Sequence, residues 1–375
     1  MKILINTSNL YVGGGLQVAI SFLNEIKDIE SKNIYHVFLS TAVSEQIVKN
    51  EFSNRFIFYE IPYSAAPLYT RKKSIERLDI LENIISPDIV FSIFGPTYWR
   101  PKTKHLMGFA LPWMVSSTPI VYKQLPFIKR IKMKMISQYK KYYTKRDADF
   151  YVVEAEDVKL KLSKVAKLNL NTISVIGNTH SSVFNSEIFS YFHLPEKKHK
   201  EFRLVTISHY YPHKNLQIIR DVIPLLYNKN IRFYLTIDEQ AYKALFSGLE
   251  DVVINLGSVK SVDCPSIYQQ CDALFLPTLL ECFSASYPEA MKMEKPILTS
   301  DYSFAQDICK DAAIYFNALD PQDIATKILD LVSNQALQRE LIQTGKGRLQ
   351  TLETAKSRAV KYIDLCETLA NLKER

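Results

Sequence analysis

Two carboxylates eight positions apart, Glu281 and Glu289, bracket the stretch ECFSASYPE. The run before them, ALFLPT at 273–278, reads as a short buried strand, so Glu281 falls in the loop that leaves it. Pro288 suits the first turn of a helix. Phe283 to Ser286 then lie near a helix N-terminus, where free backbone N–H groups and the helix dipole attract anions, phosphate above all. A carboxylate accepts hydrogen bonds from paired hydroxyls such as a ribose diol or a sugar ring. One short element could thus hold a diphosphate on its amides and two polyols on its two acids. The plainer alternative is a solvated loop acid at 281 and a first-turn acid at 289 that interacts with the dipole.

The elements that must position this stretch form a β-α series. KILIN (2–6) is a β-rich run, followed by three glycines and helical periodicity at Leu16, Ala19, Ile20, Leu23 and Ile26. YHVFLS (35–40), RFIFYEI (55–61), DIVFSIF (88–94), FYVVEA (150–155) and TISVIGN (172–178) read as further strands. HLPEKKHKEF (193–202) is polar and reads as a linker. RLVTIS (203–208) then opens a second series through IRFYLTI, DVVINLG, ALFLPT, PILTS and AAIYF. The β-α-β order predicts parallel sheets covered on both faces. Two Rossmann-like, doubly wound α/β domains follow, with ligand at the C-terminal ends of strands in the cleft between them. The expected bounds are 1–190, 191–355 and a C-terminal helix, 356–375, that packs back on the first domain. The text from Gln335 to Lys373 reads as one long helical stretch.

Composition bounds the class. The chain has 375 residues, 47% of them apolar, and no low-complexity tract. Its apolar runs are too short to span a bilayer, and MKILINTS lacks a charged-then-apolar signal pattern. Five cysteines without a C-x-x-C pair favour reduced thiols over a disulfide framework or a zinc site. These features predict a cytoplasmic protein.

ECFSASYPE, with a strand before it and EAMKMEKPILTS after it, resembles the E-x7-E motif of retaining glycosyltransferases of family 4, which have the GT-B fold. The matching positions are Pro277-Thr278, Glu281-Cys282-Phe283-Ser284, Glu289-Ala290-Met291 and Lys295-Pro296-Ile297. Cys282 and Ser284 replace the motif's glycines, which leaves a diphosphate less room at the backbone. The resemblance implies that Glu281 contacts the donor sugar and Glu289 the ribose, with Phe283 and Ser284 beside the diphosphate. ISHYYPHKNLQIIRDVIPLL (207–226) resembles the segment that supplies a basic pair to the diphosphate. Lys214 matches its lysine, and Ser208 stands where an arginine is common, with His209 or His213 as substitutes. Ser258 and Val259 match the loop that borders the base. VGGGLQVA (12–19) resembles the first-domain loop that faces diphosphate and acceptor, through Gly14 and Gly15. It fails the dinucleotide pattern G-x-G-x-x-G, because position 18 is Val. On the acceptor side Phe109 and Ala110 occupy the places of a family H-D pair, and His105 comes too early, inside a strand. No catalytic histidine can be named, and none is required if the leaving diphosphate takes the acceptor's proton. No metal or other cofactor is expected, since Lys214 and helix amides can neutralise the phosphates.

From Arg100 to Arg146 the chain carries twelve lysines and arginines and no acid. LPFIKRIKMKMISQYKKYYTKR (125–146) reads as a helix with Ile128, Ile131, Met135, Tyr139 and Tyr142 on one face. It is either a packed helix with a solvated basic face or a dock for anionic lipid near a polyprenyl-diphosphate acceptor. Nucleic acid is a weaker partner, because the aromatics lie on the face expected to be buried. The resulting expectation is a cytoplasmic, membrane-peripheral hexosyltransferase. It would move sugar from a nucleotide sugar to a lipid-linked glycan in bacterial surface polysaccharide synthesis. The alternatives are a non-catalytic nucleotide-sugar-binding subunit and a GT-B-fold epimerase.

Overall fold

The computed structural model describes residues 1–115, 121–122, 125–186, 191–227 and 229–372; Lys123 of the basic run and Lys373 lie outside them. It divides into two compact units, Met1–Asn178 with Glu353–Arg375, and Thr179–Leu352. The first division therefore falls before the expected 190/191. Phe184 explains the shift, because its ring belongs to the second unit's core along with Leu194. The polar text at 193–202 leads directly into that unit's first strand.

The first unit is a parallel sheet of β1 (Lys2–Asn6), β2 (Ile34–Leu39), β3 (Phe56–Glu60), β4 (Ile89–Ser92), β5 (His105–Gly108), β6 (Phe150–Val153) and β7 (Ile173–Val175). Their order is β3-β2-β1-β4-β5-β6-β7. Around it lie α1 (Gly14–Lys27), α2 (Thr41–Ser44), α3 (Leu68–Ile85), α4 (Pro112–Val115), α5 (Phe127–Asp147) and α6 (Glu156–Ala166). The central strands are apolar on both faces, as a sheet covered twice requires. Leu16, Ala19, Phe22, Leu23 and Ile26 form the buried stripe of α1, four of them the residues the periodicity selects.

The second unit repeats the plan with β8 (Phe202–Thr206), β9 (Ile231–Leu235), β10 (Val253–Asn255), β11 (Ala273–Leu276), β12 (Ile297–Ser300) and β13 (Ile314–Phe316), in the order β10-β9-β8-β11-β12-β13. Its helices are α7 (Ile218–Val222), α8 (Glu239–Phe246), α9 (Cys264–Gln270), α10 (Ser286–Lys292), α11 (Ser303–Cys309), α12 (Pro321–Ser333) and α13 (Gln335–Gln350). The last helix, α14 (Ala355–Ala370), returns to the first unit. The expected single helical stretch is thus two helices. Thr354 breaks it, because its side chain accepts from Ser357 N at 3.0 Å while Ser357 Oγ accepts from Thr354 N at 2.9 Å, a capping box.

Helix α5 differs in phase from the expectation. Ile128, Ile131, Met135, Tyr139 and Tyr142 are all exposed, whereas the buried residues are Thr144 and Asp147. The reason lies in its neighbours. Arg71 of α3 places its guanidinium over Tyr98, Tyr143 and Tyr139, at 4.9, 5.0 and 5.8 Å from the ring centroids. This cation–π cluster and the hydrogen bond that Arg71 Nη1 donates to the Tyr143 hydroxyl at 2.9 Å hold the Tyr143 side of α5 against α3.

Helix α14 is clamped to the first unit by an aromatic triad. Tyr362 meets Phe22 edge-on at 5.7 Å and Phe91 at 5.2 Å, and Phe22 meets Phe91 at 5.6 Å. Tyr362→Ala is expected to cost about 3–5 kcal/mol, the range for removing a large buried ring. A melting curve checks this, and an unchanged Tm would mean that α14 rests loosely on the sheet.

Candidate active site

The second sheet runs outward from β8 to β10 on one side and from β11 to β13 on the other. The order reverses between the paired strands β8 and β11. Loops that leave the C-terminal ends of strands at such a reversal diverge and leave a crevice, where doubly wound folds bind ligands. Lys214 comes from the loop after β8, at the end of a short turn over Pro212–Lys214. Glu281 comes from the loop after β11. Lys214 Nζ lies 2.5 Å from Glu281 Oε1, and the two side chains are 12% and 10% exposed.

Other groups hold this pair. Thr278 Oγ lies 3.0 Å from the same Glu281 oxygen, to which it donates. Leu279 N donates to His213 O at 2.8 Å, which ties the β11 loop to the β8 loop. Asn215 adopts a left-handed conformation (φ 56°) and donates from Nδ2 to Ala318 O at 2.8 Å, which ends the turn behind Lys214. His213 stacks on Tyr211 with ring centroids 5.5 Å apart. Burial pushes its imidazole pKa down to about 4, against the pull of the Glu281 charge, so the ring is neutral at pH 7.

Glu289 sits in the first turn of α10, with Pro288 just before it. The cap position before α10 is Ala285, whose methyl group cannot cap the first amides. Tyr268 of α9 donates to Glu289 Oε2 at 3.3 Å. Glu289 keeps some contact with solvent, yet the protein packed around its carboxyl pushes the pKa up to about 7. Ser284 is buried at the entrance to α10, while Phe283 is half-buried against the second core.

Ser208 is half-exposed after β8; its N–H donates to Thr236 Oγ at 3.0 Å and its hydroxyl to His209 O at 3.1 Å. His209 is exposed. Val259 is half-buried after β10, beside the exposed Ser258. All these residues therefore gather at the C-terminal edge of one sheet.

In the first unit Gly14 and Gly15 open α1, at the order reversal between β1 and β4. A Cβ on Gly15 would lie 3.3 Å from the Phe94 ring, and Asn9 Nδ2 donates to Phe94 O at 2.8 Å. The glycine with the stricter demand is Gly13, whose φ of 76° belongs to the left-handed region. Phe109, expected on the acceptor side, is instead a core ring with 1% exposure. Its N–H donates to Val152 O at 2.9 Å as the chain leaves β5, and the ring turns inward. His105 is a buried strand residue whose Nε2 pairs with Ser92 Oγ at 2.8 Å, and burial lowers its pKa to about 4. Among the described residues no cluster of three or more histidine, cysteine or acidic side chains could hold a metal ion. Thr278 and Tyr268 are the residues that sequence reasoning missed. Thr278 stood inside the matched motif with no role, and Tyr268 reaches Glu289 only through the tertiary fold.

Residues 191–348 match the model for glycosyl transferases group 1. Solved structures match over nearly the whole chain. A glycosyltransferase from Rickettsia africae shares 14% identity at a TM-score of 0.71, covering 99% of each chain. WaaG, a glycosyltransferase involved in lipopolysaccharide biosynthesis, shares 12% at 0.71, covering 97% of this chain and 99% of its own. Anabaena Alr3699/HepE, solved with UDP-glucose, shares 14% at 0.70, covering 99% and 100%. Among curated proteins none matches. The chain is a glycosyltransferase of the GT-B fold. In this glycosyltransferase the Lys214–Glu281 pair, Thr278 and Glu289 all lie within the matched segment.

The raised pKa of Glu289 predicts a pH-dependent stability. Its ordinary value is 4.5 and the folded value about 7, so the protonated form is favoured in the fold. Wild-type stability is fully present below the ordinary value and is lost as pH rises through about 7. Glu289→Gln removes that loss. Its melting temperature relative to wild type is expected to rise between pH 5 and pH 8, by roughly 1–3 kcal/mol of stability. A difference that does not vary with pH would mean that the carboxyl is ionised throughout.

Proposed function

We propose that the chain is a retaining family 4 enzyme that moves a hexose from a nucleoside-diphosphate sugar to a lipid-linked glycan in surface polysaccharide assembly. The observation that carries this reading is the Lys214–Glu281 pair across the switch point, with Glu289 eight residues on. Lys214 takes the diphosphate. Glu281, released from Lys214 and oriented by Thr278, accepts from the sugar hydroxyls. Glu289 accepts from the ribose. The amides of Phe283 and Ser284 face the phosphates, Val259 borders the base, and the Gly14–Gly15 turn serves the first unit's side of the reaction. Ser208 offers only dipoles where the motif's relatives carry an arginine, so Lys214 bears more of the charge than in an arginine–lysine pair. Lysine and amides act in place of a metal.

In this mechanism the bond from the anomeric carbon to the diphosphate breaks as the bond to the acceptor oxygen forms on the same face. The acceptor's proton passes to the leaving diphosphate. The protein positions the partners and stabilises the departing charge. The Anabaena neighbour's complexes with UDP and UDP-glucose favour a nucleotide sugar as donor. The naming of WaaG for lipopolysaccharide biosynthesis favours a surface glycan as product.

The outward face of α5 supports peripheral membrane attachment. Ile128, Ile131, Met135 and Tyr142 are exposed, with Lys132, Lys134 and Lys145 exposed alongside them. An apolar stripe edged by lysines suits a helix lying in an anionic interface. No helix among the described residues is long and apolar enough to cross a membrane.

Two measurements test this reading. Melting curves with UDP, GDP, ADP, dTDP and their sugars should show one base at a hundred times its Kd stabilising the protein by about 2.7 kcal/mol. Glu289→Ala should abolish that shift, and no shift with any nucleotide would sink the donor assignment. Separately, the protein should co-sediment with phosphatidylglycerol-containing vesicles, less so at high salt, and not with phosphatidylcholine alone. The double variant Ile131→Asp/Met135→Asp should stay in the supernatant with an unchanged Tm; if it sediments like wild type, α5 is not the dock.

A further inference from the structure

A cavity of about 60 Å³ lies between α4 and the inward face of α5. Leu111 and Trp113 line it from the chain that leaves β5, and Met133, Ile136, Ser137 and Lys140 line it from α5. A cavity of about 150 Å³ takes one benzene ring. This space is therefore too small for a hexose, but it accepts a short piece of hydrocarbon chain. It lies beyond the C-terminal end of a central strand, the side of a doubly wound sheet that faces ligands.

Lys140 gives the cavity its chemistry. It is half-buried and has neither an ion pair nor a hydrogen bond among the described residues. Burial lowers its pKa, as expected for an ammonium that has lost water and gained no counter-ion. An anion placed against it would restore what burial removed. Apolar walls with one unneutralised cation match a ligand that is hydrocarbon at one end and anionic at the other. The opposite face of the same helix carries the exposed apolar stripe, so a lipid leaving an interface there need travel only around one helix, about 10 Å across.

We infer that this cavity is a lipid-phosphate subsite, in which hydrocarbon fills the space between Trp113 and Ile136 and a phosphate ester rests on Lys140. The inference rests on the reading of the enzyme as a transferase to a lipid-linked acceptor, and it assigns the acceptor's lipid end to α4 and α5. The phosphate ester could belong to an isoprenoid carrier or to a bilayer phospholipid; the chemistry is shared and the test separates them.

The chain has two tryptophans, Trp99 and Trp113. Trp99 is a core residue with 1% exposure, so a ligand-dependent emission change reports Trp113. The full-length protein is titrated with farnesyl phosphate, dihexanoyl phosphatidic acid, farnesol and inorganic phosphate, each below its aggregation limit. A saturable shift is expected with a phosphate ester, at least tenfold weaker binding with farnesol, and none with inorganic phosphate. Tighter binding of farnesyl phosphate names the isoprenoid as the source, and tighter binding of the phosphatidic acid names the bilayer. Lys140→Gln should weaken the phosphate ester to the level of farnesol. Ile136→Phe should fill the space and abolish both, and Trp113→Phe should abolish the signal. Both Lys140→Gln and Ile136→Phe are accepted only with wild-type melting behaviour. Equal binding of farnesol and farnesyl phosphate, indifference to Lys140→Gln, or no saturable shift would overturn the subsite. Nucleotide-induced stabilisation is measured on the same samples. If that shift persists while lipid binding fails, the subsite alone falls; if it is missing while lipid phosphate binds, the donor reading falls.

Discussion

The contact between Lys214 and Glu281 is the constraint on which the second unit's chemistry depends. Two charges, each about nine-tenths withdrawn from water, are tolerable only together. Removing either would strand the other in a medium that solvates it poorly, at a cost of roughly 3–5 kcal/mol. The pair exists because β8 and β11, far apart in sequence, are neighbours in the sheet. It keeps its place because His213 O receives Leu279 N and because the Thr278 hydroxyl adds a second donor to Glu281. In the proposed reaction a diphosphate competes for Lys214, and Glu281 becomes free to receive the sugar hydroxyls. Each group thus holds the other in position by satisfying its charge.

The same geometry appears in the first unit, where the turn after β1 meets the loop after β4 at the other order reversal. There the backbone supplies the constraint. Gly13 must adopt a positive φ, and Gly15 must approach the Phe94 ring. A side chain at position 13 would be strained and one at 15 crowded, so the turn would open and move the start of α1. Polar side chains locate the second unit's site, and missing side chains locate the turn in the first.

The strands were legible because a parallel sheet covered on both faces demands unbroken apolar runs of a few residues, such as KILIN and ALFLPT. The two acids and Lys214 stood out as motif positions, but the Lys214–Glu281 contact comes from the pairing of β8 with β11, which the β-α order alone does not specify. Tyr268 was not legible, since its partner Glu289 is reached across the packing of α9 on α10. The burial of Phe109 was not legible either. Its place in the chain is at a strand end, but its ring packs in the core. The break before α14 was written in the text as Thr354 and Ser357, a capping pair that helical periodicity on either side obscured.

Helix α5 shows why periodicity alone does not say which face is inside. Its residues 128, 131, 135, 139 and 142 form one stripe, and 133, 136, 140 and 144 form another, about 150° away at 100° per residue. Hydrophobicity favours the first stripe, yet the fold buries the second. The decision rests with Arg71, which draws Tyr143 of α5 against α3 through its ring and its hydroxyl. The more apolar stripe is then left in water, which is costly unless another surface covers it. The inward stripe, meanwhile, carries Lys140, which no acid among the described residues neutralises. Both anomalies, apolar outside and cationic inside, have the same resolution in an amphiphilic anion. This is why the outward face and the cavity behind it belong to one account of how the enzyme meets its acceptor.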